Sequence, residues 1–158
     1  MNEAVVIEVT DSQYIISNWD CIKAILLTSF DQSDFNAGYN IDTVLDEVEK
    51  NSVEKESALN VIALKGQEIL GGIFSIEPNA SASEIYYDIG WLFTNSKLNK
   101  KERISISIAM VEEVHNLLRK MKYKYIYTEI GTKQGMALLS KKFHYQKYKD
   151  THYWCKKL

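Results

Sequence analysis

Lys97-Leu98-Asn99-Lys100-Lys101-Glu102-Arg103 joins a β-rich run to a long amphipathic stretch, and its reading decides how the chain is laid out. Asn99 followed by Glu102 has capping-box spacing, which puts a helix N-cap at Asn99. Beyond it, Ile104, Ile108, Val111, His115 and Leu118 recur on one stripe, widened by Ile106, Met110, Val114, Leu117 and Met121. The spacing predicts a helix over 100–121, with an apolar face broad enough to lie on a sheet. Lys97, Lys100, Lys101 and Arg103 crowd its start. Cations are locally unfavourable there, because a helix N-terminus carries partial positive charge and free amides. The arrangement makes sense if an anion such as a phosphate sits on the helix end.

Upstream, a strand is expected over 84–93, in which period-two alternation puts Glu84, Tyr86 and Asp88 on one face and Ile85, Tyr87 and Ile89 on the other. Before it, 59–64 and 69–76 read as a hairpin about Gly66, and Gly71-Gly72 marks a bulge or a close backbone approach. The chain opens with a strand over 4–9, a helix over 13–30 and a second helix over 43–53. Downstream, 125–130 reads as a strand broken by Gly131, 135–142 as a short helix, and 145–155 as a tyrosine-rich strand or hairpin. The order β-α-α-β-β-β-α-β-α-β predicts an α/β (α+β) fold over 1–158, a single domain: a mixed, mostly antiparallel central sheet with helices on both faces.

Composition narrows the function. The 158 residues suit one domain, and 46% hydrophobic with 25% charged residues is an ordinary globular balance that argues against disorder. A net charge of -2 gives no global pull toward nucleic acid. The basic patch over 97–124 also carries Glu112 and Glu113, so a nucleic-acid partner is disfavoured. Cys21 and Cys155 lie near opposite ends, and His115, His144 and His152 have no ligand spacing, which argues against a metal site and for a reducing, cytoplasmic setting. No apolar run spans a bilayer, and residues 1–8 lack the pattern of an export signal, so no membrane association is expected.

The element order and residues resemble the GNAT superfamily of N-acetyltransferases, most clearly from Leu59 onward. The resemblance implies acetyl-CoA as cofactor, bound where two central strands splay apart, with its pyrophosphate on the loop and helix start after the fourth strand. Here that strand is 85–93, the loop 94–103 and the helix 104–121. The resemblance therefore implies cofactor binding at Leu92, Phe93, Thr94, Asn99, Lys100, Lys101, Glu102, Arg103 and Ile104, with backbone groups of Leu92 and Phe93 facing the pantetheine arm. The family loop usually reads R/Q-x-x-G-x-G/A, whereas Asn99 to Ile104 contains no glycine. The chain thus looks like a divergent member in which side-chain cations replace a backbone cradle.

Acetyl transfer to an amine needs a polarised thioester carbonyl, a neutral amine and a protonated leaving thiolate. Family members often carry a glutamate base on the fourth strand, which makes Glu84, Tyr86 and Asp88 the base candidates, with Glu129 a further carboxylate. Leu139-Ser140-Lys141-Lys142-Phe143-His144-Tyr145 has the shape of the family's L-Y-E-K-L-G-F pattern, so Ser140 stands where a tyrosine often serves as general acid. A serine hydroxyl is a poor acid at neutral pH, which leaves Tyr145 and Tyr148 as substitutes. The resemblance implies that Trp19, Phe35 and Tyr39 lie in the helix-and-loop region that usually forms the acceptor side. The reading is N-acetyl transfer to a primary amine of a small molecule or a protein. The other reading is an impaired acyl-CoA-binding or protein-interaction module, favoured by the missing glycines and by Ser140. The C-terminal strand also suits pairing in a homodimer.

Overall fold

The computed structural model describes residues 3–54, 58–79 and 81–158; Met1 and Asn2, at the head of the stretch read for an export signal, lie outside them. Strand β1 (Val5–Thr10) leads into α1 (Ser12–Ser17) and α2 (Trp19–Ser29). The sequence reads these two helices as one. Asn18 breaks them: its backbone leaves the helical region (φ -114°, ψ 17°), and its side-chain amide donates to the Tyr14 carbonyl at 2.9 Å. Asparagine competes in this way with a backbone amide for a helix carbonyl. Helix α3 (Ile41–Val48), capped by the Asn40 side chain, runs on as a wider π turn (Glu49–Glu54).

Strands β2 (Leu59–Lys65) and β3 (Glu68–Ile76) form the expected hairpin, with Gly66 at φ 60° in the turn. The Gly71-Gly72 pair marks both a bulge and a close approach. The β2–β3 register slips between Ala63 and Leu64, and a Cβ on Gly71 would lie 2.5 Å from the Phe93 carbonyl oxygen.

The strand read as 84–93 is two strands, β4 (Ile85–Tyr87) and β5 (Trp91–Thr94). Between them Asp88 and Gly90 take positive φ (72° and 82°), and a Cβ on Gly90 would meet the Phe74 carbonyl oxygen at 2.2 Å. Only glycine fits there without strain. The kink sends the halves apart. β5 stays antiparallel to β3, while β4 pairs in parallel with β6 (Tyr125–Thr128). The kink also resets side-chain alternation, so Tyr86 and Ile89 are both buried rather than on opposite faces. Two four-stranded sheets result, β1-β2-β3-β5 and β4-β6-β8-β7, with β7 (Gln146–Lys147) and β8 (Trp154–Lys157) forming the C-terminal hairpin.

Helix α4 (Lys100–Lys120) crosses between them, and α5 (Lys133–Ala137) with a following π turn (Leu138–Lys142) caps the parting. Alternate β2 side chains serve opposite layers. Val61 and Ala63 pack with Met110, Val111, Val114 and Leu118 of α4; Ile62 packs with Ile15, Ile22 and Leu26 of α1 and α2. The α4 stripe departs from expectation at its ends, where Ile104 and Met121 are about half exposed (47% and 51%).

Candidate active site

The parting of β5 from β6 leaves two cavities that meet. One, of about 960 Å³, lies between the end of α2, β5, the first turn of α4 and 132–138. The other, of about 340 Å³, is bounded by α3, β3, the β4–β5 kink and 129–131. Leu92, Thr132, Gly135 and Leu138 line both.

β5 is the last strand of its sheet, so half its backbone faces the gap. The Asn95 amide bonds to Leu70 and the Thr94 carbonyl accepts from Ser29 Oγ at 2.7 Å, which fixes the alternation. Asn95, Phe93 and Trp91 pair toward β3, while the amides of Leu92 and Thr94 face the open edge. The backbone expected from Leu92 is therefore in place, whereas that of Phe93 is committed to Gly72; the open position falls to Thr94.

Beside the larger cavity the capping box is formed: Asn99 Oδ1 accepts the Glu102 backbone amide and Glu102 Oε2 accepts the Asn99 backbone amide, each at 2.9 Å. Leu92, Phe93, Thr94, Lys100, Arg103 and Ile104 line this cavity; Asn99, Lys101 and Glu102 do not. The cap explains part of that division, since Asn99 and Glu102 spend their polar groups on each other. Arg103 Nε donates to Thr94 Oγ1 at 2.8 Å and its Nη2 to the Ser29 carbonyl at 3.2 Å, pinning β5, α2 and α4 together. Half-exposed Ile104 lies on this wall, which accounts for its break from the core stripe. Residues the sequence reading missed here include Ser29, Ser107 and Gln134.

The smaller cavity holds Asp88, Glu47, Glu77 and Glu129, with Tyr39 and Trp91 as aromatic walls. Asp88 Oδ1 accepts the Glu129 amide at 2.9 Å and Thr128 Oγ1 at 3.1 Å; among the described residues no donor reaches Oδ2. Burial pushes the Asp88 carboxyl up to about 6, opposed by these two hydrogen bonds and reinforced by the charges of Glu129 and Glu47. Burial likewise raises Glu47, which accepts the Trp91 indole N–H, and the charges of Glu129 and Glu77 add to the rise. Tyr39 Oη donates to Glu129 Oε2 at 2.6 Å, and burial plus that bond hold the phenol far above its usual range.

The structure does not bring the other base candidates to this cavity. Glu84 is exposed and pairs with Lys124 at 3.2 Å. Tyr86 is 2% exposed and packs edge-on against Tyr123 in the core. Of the three, Asp88 alone, at the kink, lines the gap. Ser140 Oγ donates to the Met136 carbonyl at 2.6 Å, outside either lining. Tyr145 is buried against His115, and Tyr148 packs on Tyr127, so neither reaches the gap. Trp19 packs into the core, Phe35 stacks on Phe30, and of the three aromatics expected at the acceptor side Tyr39 alone lines the smaller cavity. Glu47 and Glu77 carried no sequence signal. Among the described residues, no three His, Cys, Asp or Glu side chains are placed to hold a metal ion, and no helix is long and apolar enough to cross a membrane.

No family model matches the sequence, and no curated protein matches it significantly. Solved structures do. A GNAT family acetyltransferase from Brucella melitensis in complex with acetyl-CoA is 13% identical, with 99% of this chain and 89% of that one covered and a TM-score of 0.68. A GNAT family acetyltransferase from Staphylococcus aureus Mu50 is 15% identical over 98% of this chain and 99% of that one, again at 0.68. The C-terminal condensation domain of Ebony in complex with β-alanyl-dopamine is 13% identical over 99% and 100%, also at 0.68. The chain therefore has the fold of these GNAT-family structures.

Proposed function

We propose that this chain transfers an acetyl group from acetyl-CoA to a primary amine, with the thioester in the larger cavity and the amine in the smaller. The observation that carries this reading is the meeting of the two cavities at Leu92, where an open strand edge and a carboxylate with raised affinity for protons face one gap. Among similar structures, one is solved with acetyl-CoA and one with β-alanyl-dopamine, an acylated amine, which supports a donor and an amine acceptor on this fold.

The residues fit the cofactor unevenly. The Leu92 and Thr94 amides suit a pantetheine arm, and Lys100 and Arg103 supply cations for a diphosphate. The capping box uses the Glu102 amide and sets a carboxylate at the helix start, leaving the amides of Lys100 and Lys101 as helix donors. When bound, acetyl-CoA supplies the acetyl group as an activated thioester. Asp88 Oδ2 takes a proton from the ammonium, freeing a lone pair to attack. The Leu92 amide donates to the carbonyl oxygen as negative charge gathers on it. The second proton of the amine leaves with the thiolate, so this route asks no side chain to stand in for the family's tyrosine.

Acetyl-CoA titration by calorimetry, followed by thiol release with a panel of amines, tests the reading. Binding with amine-dependent release is expected; absence of binding at millimolar cofactor overturns it. Binding without release selects the module reading, which the spent Ser140 hydroxyl favours.

A further inference from the structure

The smaller cavity has a charge imbalance that a simple amine does not relieve. Among the described residues, four carboxylates, Glu47, Glu77, Asp88 and Glu129, face one ammonium, Lys50. Their partners are neutral: the Trp91 indole for Glu47, the Tyr39 hydroxyl for Glu129, and an amide with a hydroxyl for Asp88. Among the described residues the one ion pair is Lys124–Glu84, on the outer surface. The carboxylates come from α3, the end of β3, the β4–β5 kink and the end of β6, so they surround the space rather than converge on a point. That spread does not suit a metal ion, and no three of them are placed to hold one. It suits an elongated cation, and the faces of Tyr39 and Trp91 suit its methylene groups and its charge.

The chemistry of transfer sharpens this point. A reacting nitrogen must give up its proton before it attacks, so its positive charge and the negative charge of Asp88 are lost together. Among the described residues, Glu47, Glu77 and Glu129 are then left with Lys50 alone. Resting on the acyl-transfer reading of the same site, we propose that the acceptor is a small linear diamine or polyamine, its reacting nitrogen at Asp88 and a second ammonium held by Glu47, Glu77 and Glu129. The N–C bond forms as the C–S bond breaks; one proton passes to Asp88 and one to the departing sulfur. The products are a mono-acetylated amine that keeps its distal charge, and free thiol. The mutual repulsion that helps raise Asp88 and Glu47 is what such a ligand relieves.

The test compares putrescine (a four-carbon diamine), butylamine and aminobutanol as acceptors in thiol release, with calorimetric titration of putrescine into the protein alone. The kcat/KM for putrescine should exceed that for the other two by about tenfold or more, mainly through KM. Glu47→Gln, which keeps an acceptor for the Trp91 indole, and Glu77→Gln should each shrink that advantage and weaken putrescine binding. Equal kcat/KM for all three acceptors overturns the diamine inference and leaves acetyl transfer standing. Putrescine binding without thiol release from any amine keeps the cation-binding pocket and overturns the transfer reading. No putrescine binding at millimolar concentration overturns this inference whatever the enzyme does with other amines.

Discussion

The Glu129 amide donates to Asp88 Oδ1 at 2.9 Å where β4 and β6 end side by side at the parting of the sheets. Asp88 is thus held by the neighbouring strand of its own sheet, at the edge of the gap it faces. That bond and the one from Thr128 fix one carboxylate oxygen and leave the other toward the cavity. Asp88→Asn preserves the acceptor and removes the base. We expect kcat to fall by about 10²–10⁴-fold, with KM for acetyl-CoA little changed. In the parent, kcat/KM should rise with pH through about 6, as Asp88 loses its proton, and then level. Steady-state profiles of both proteins check this; an acidic limb of the same midpoint in Asp88→Asn would remove Asp88 from the reaction.

The same carboxylate should weaken the fold at neutral pH. Its folded-state value of about 6 lies above the ordinary 3.8, so the folded chain binds the proton more tightly than the unfolded chain. The stability this contributes is fully present below about pH 4 and is lost as pH rises through about 6. Asp88→Asn should therefore be more stable than the parent at pH 7, by about 1–3 kcal/mol, and about equal to it near pH 4. Urea midpoints at the two pH values decide it.

Local chemistry was legible in the sequence, and non-local geometry was not. The Asn99–Glu102 cap depends on residues three apart, and the hairpin about Gly66 on one turn, so both could be read directly. The α4 stripe was readable in its middle and misleading at Ile104, where a cleft rather than a core takes the side chain. Asp88 could be named as a candidate, but Glu84 and Tyr86 could not be told from it. What sets Asp88 apart is its place at a kink where Gly90 packs on the Phe74 carbonyl of β3, a contact between strands that no local pattern reveals. Glu47 is one of several acids along α3, and only packing against Trp91 draws it into the cavity.

Gly90 is the residue on which the parting of the strands depends. Gly90→Ala places a methyl group against the Phe74 carbonyl in a backbone conformation that L side chains resist. The expected cost is about 2–4 kcal/mol, read from denaturant midpoints. A loss below about 0.5 kcal/mol would mean that the kink relaxes freely.

The cofactor site should respond unequally to neighbouring charges. Lys100 lines the larger cavity and Lys101 does not. Lys100→Ala should weaken acetyl-CoA binding several-fold, and Lys101→Ala much less. Arg103→Ala should weaken binding and also destabilise the fold by about 1–3 kcal/mol, because it frees Thr94 and Ser29 from their bridge. Glu102→Gln keeps the cap's acceptor while removing a negative charge from the helix start, so it should tighten binding. Calorimetry on the four variants checks the order; looser binding by Glu102→Gln would place the diphosphate away from this helix end.

A buried histidine gives the acid limb of stability. His115 Nε2 and Tyr145 Oη lie 2.7 Å apart in the core, each 2% exposed. Burial first, then the charges of Lys156 and Arg119, lower the imidazole to about 4. A base with a depressed folded-state value contributes stability that is present above its unfolded value of about 6.5 and is lost as pH falls toward 4. This is opposite in sign to the effect of Asp88 over an overlapping window, so the two partly offset in the parent. Asp88→Asn removes one of them and should expose the other as a clear fall in urea midpoint between about pH 6.5 and pH 4.5. Adding His115→Gln, which retains an acceptor for the Tyr145 hydroxyl, should flatten that fall. If the double variant loses as much stability over this window as Asp88→Asn alone, the proton is taken up elsewhere in the chain.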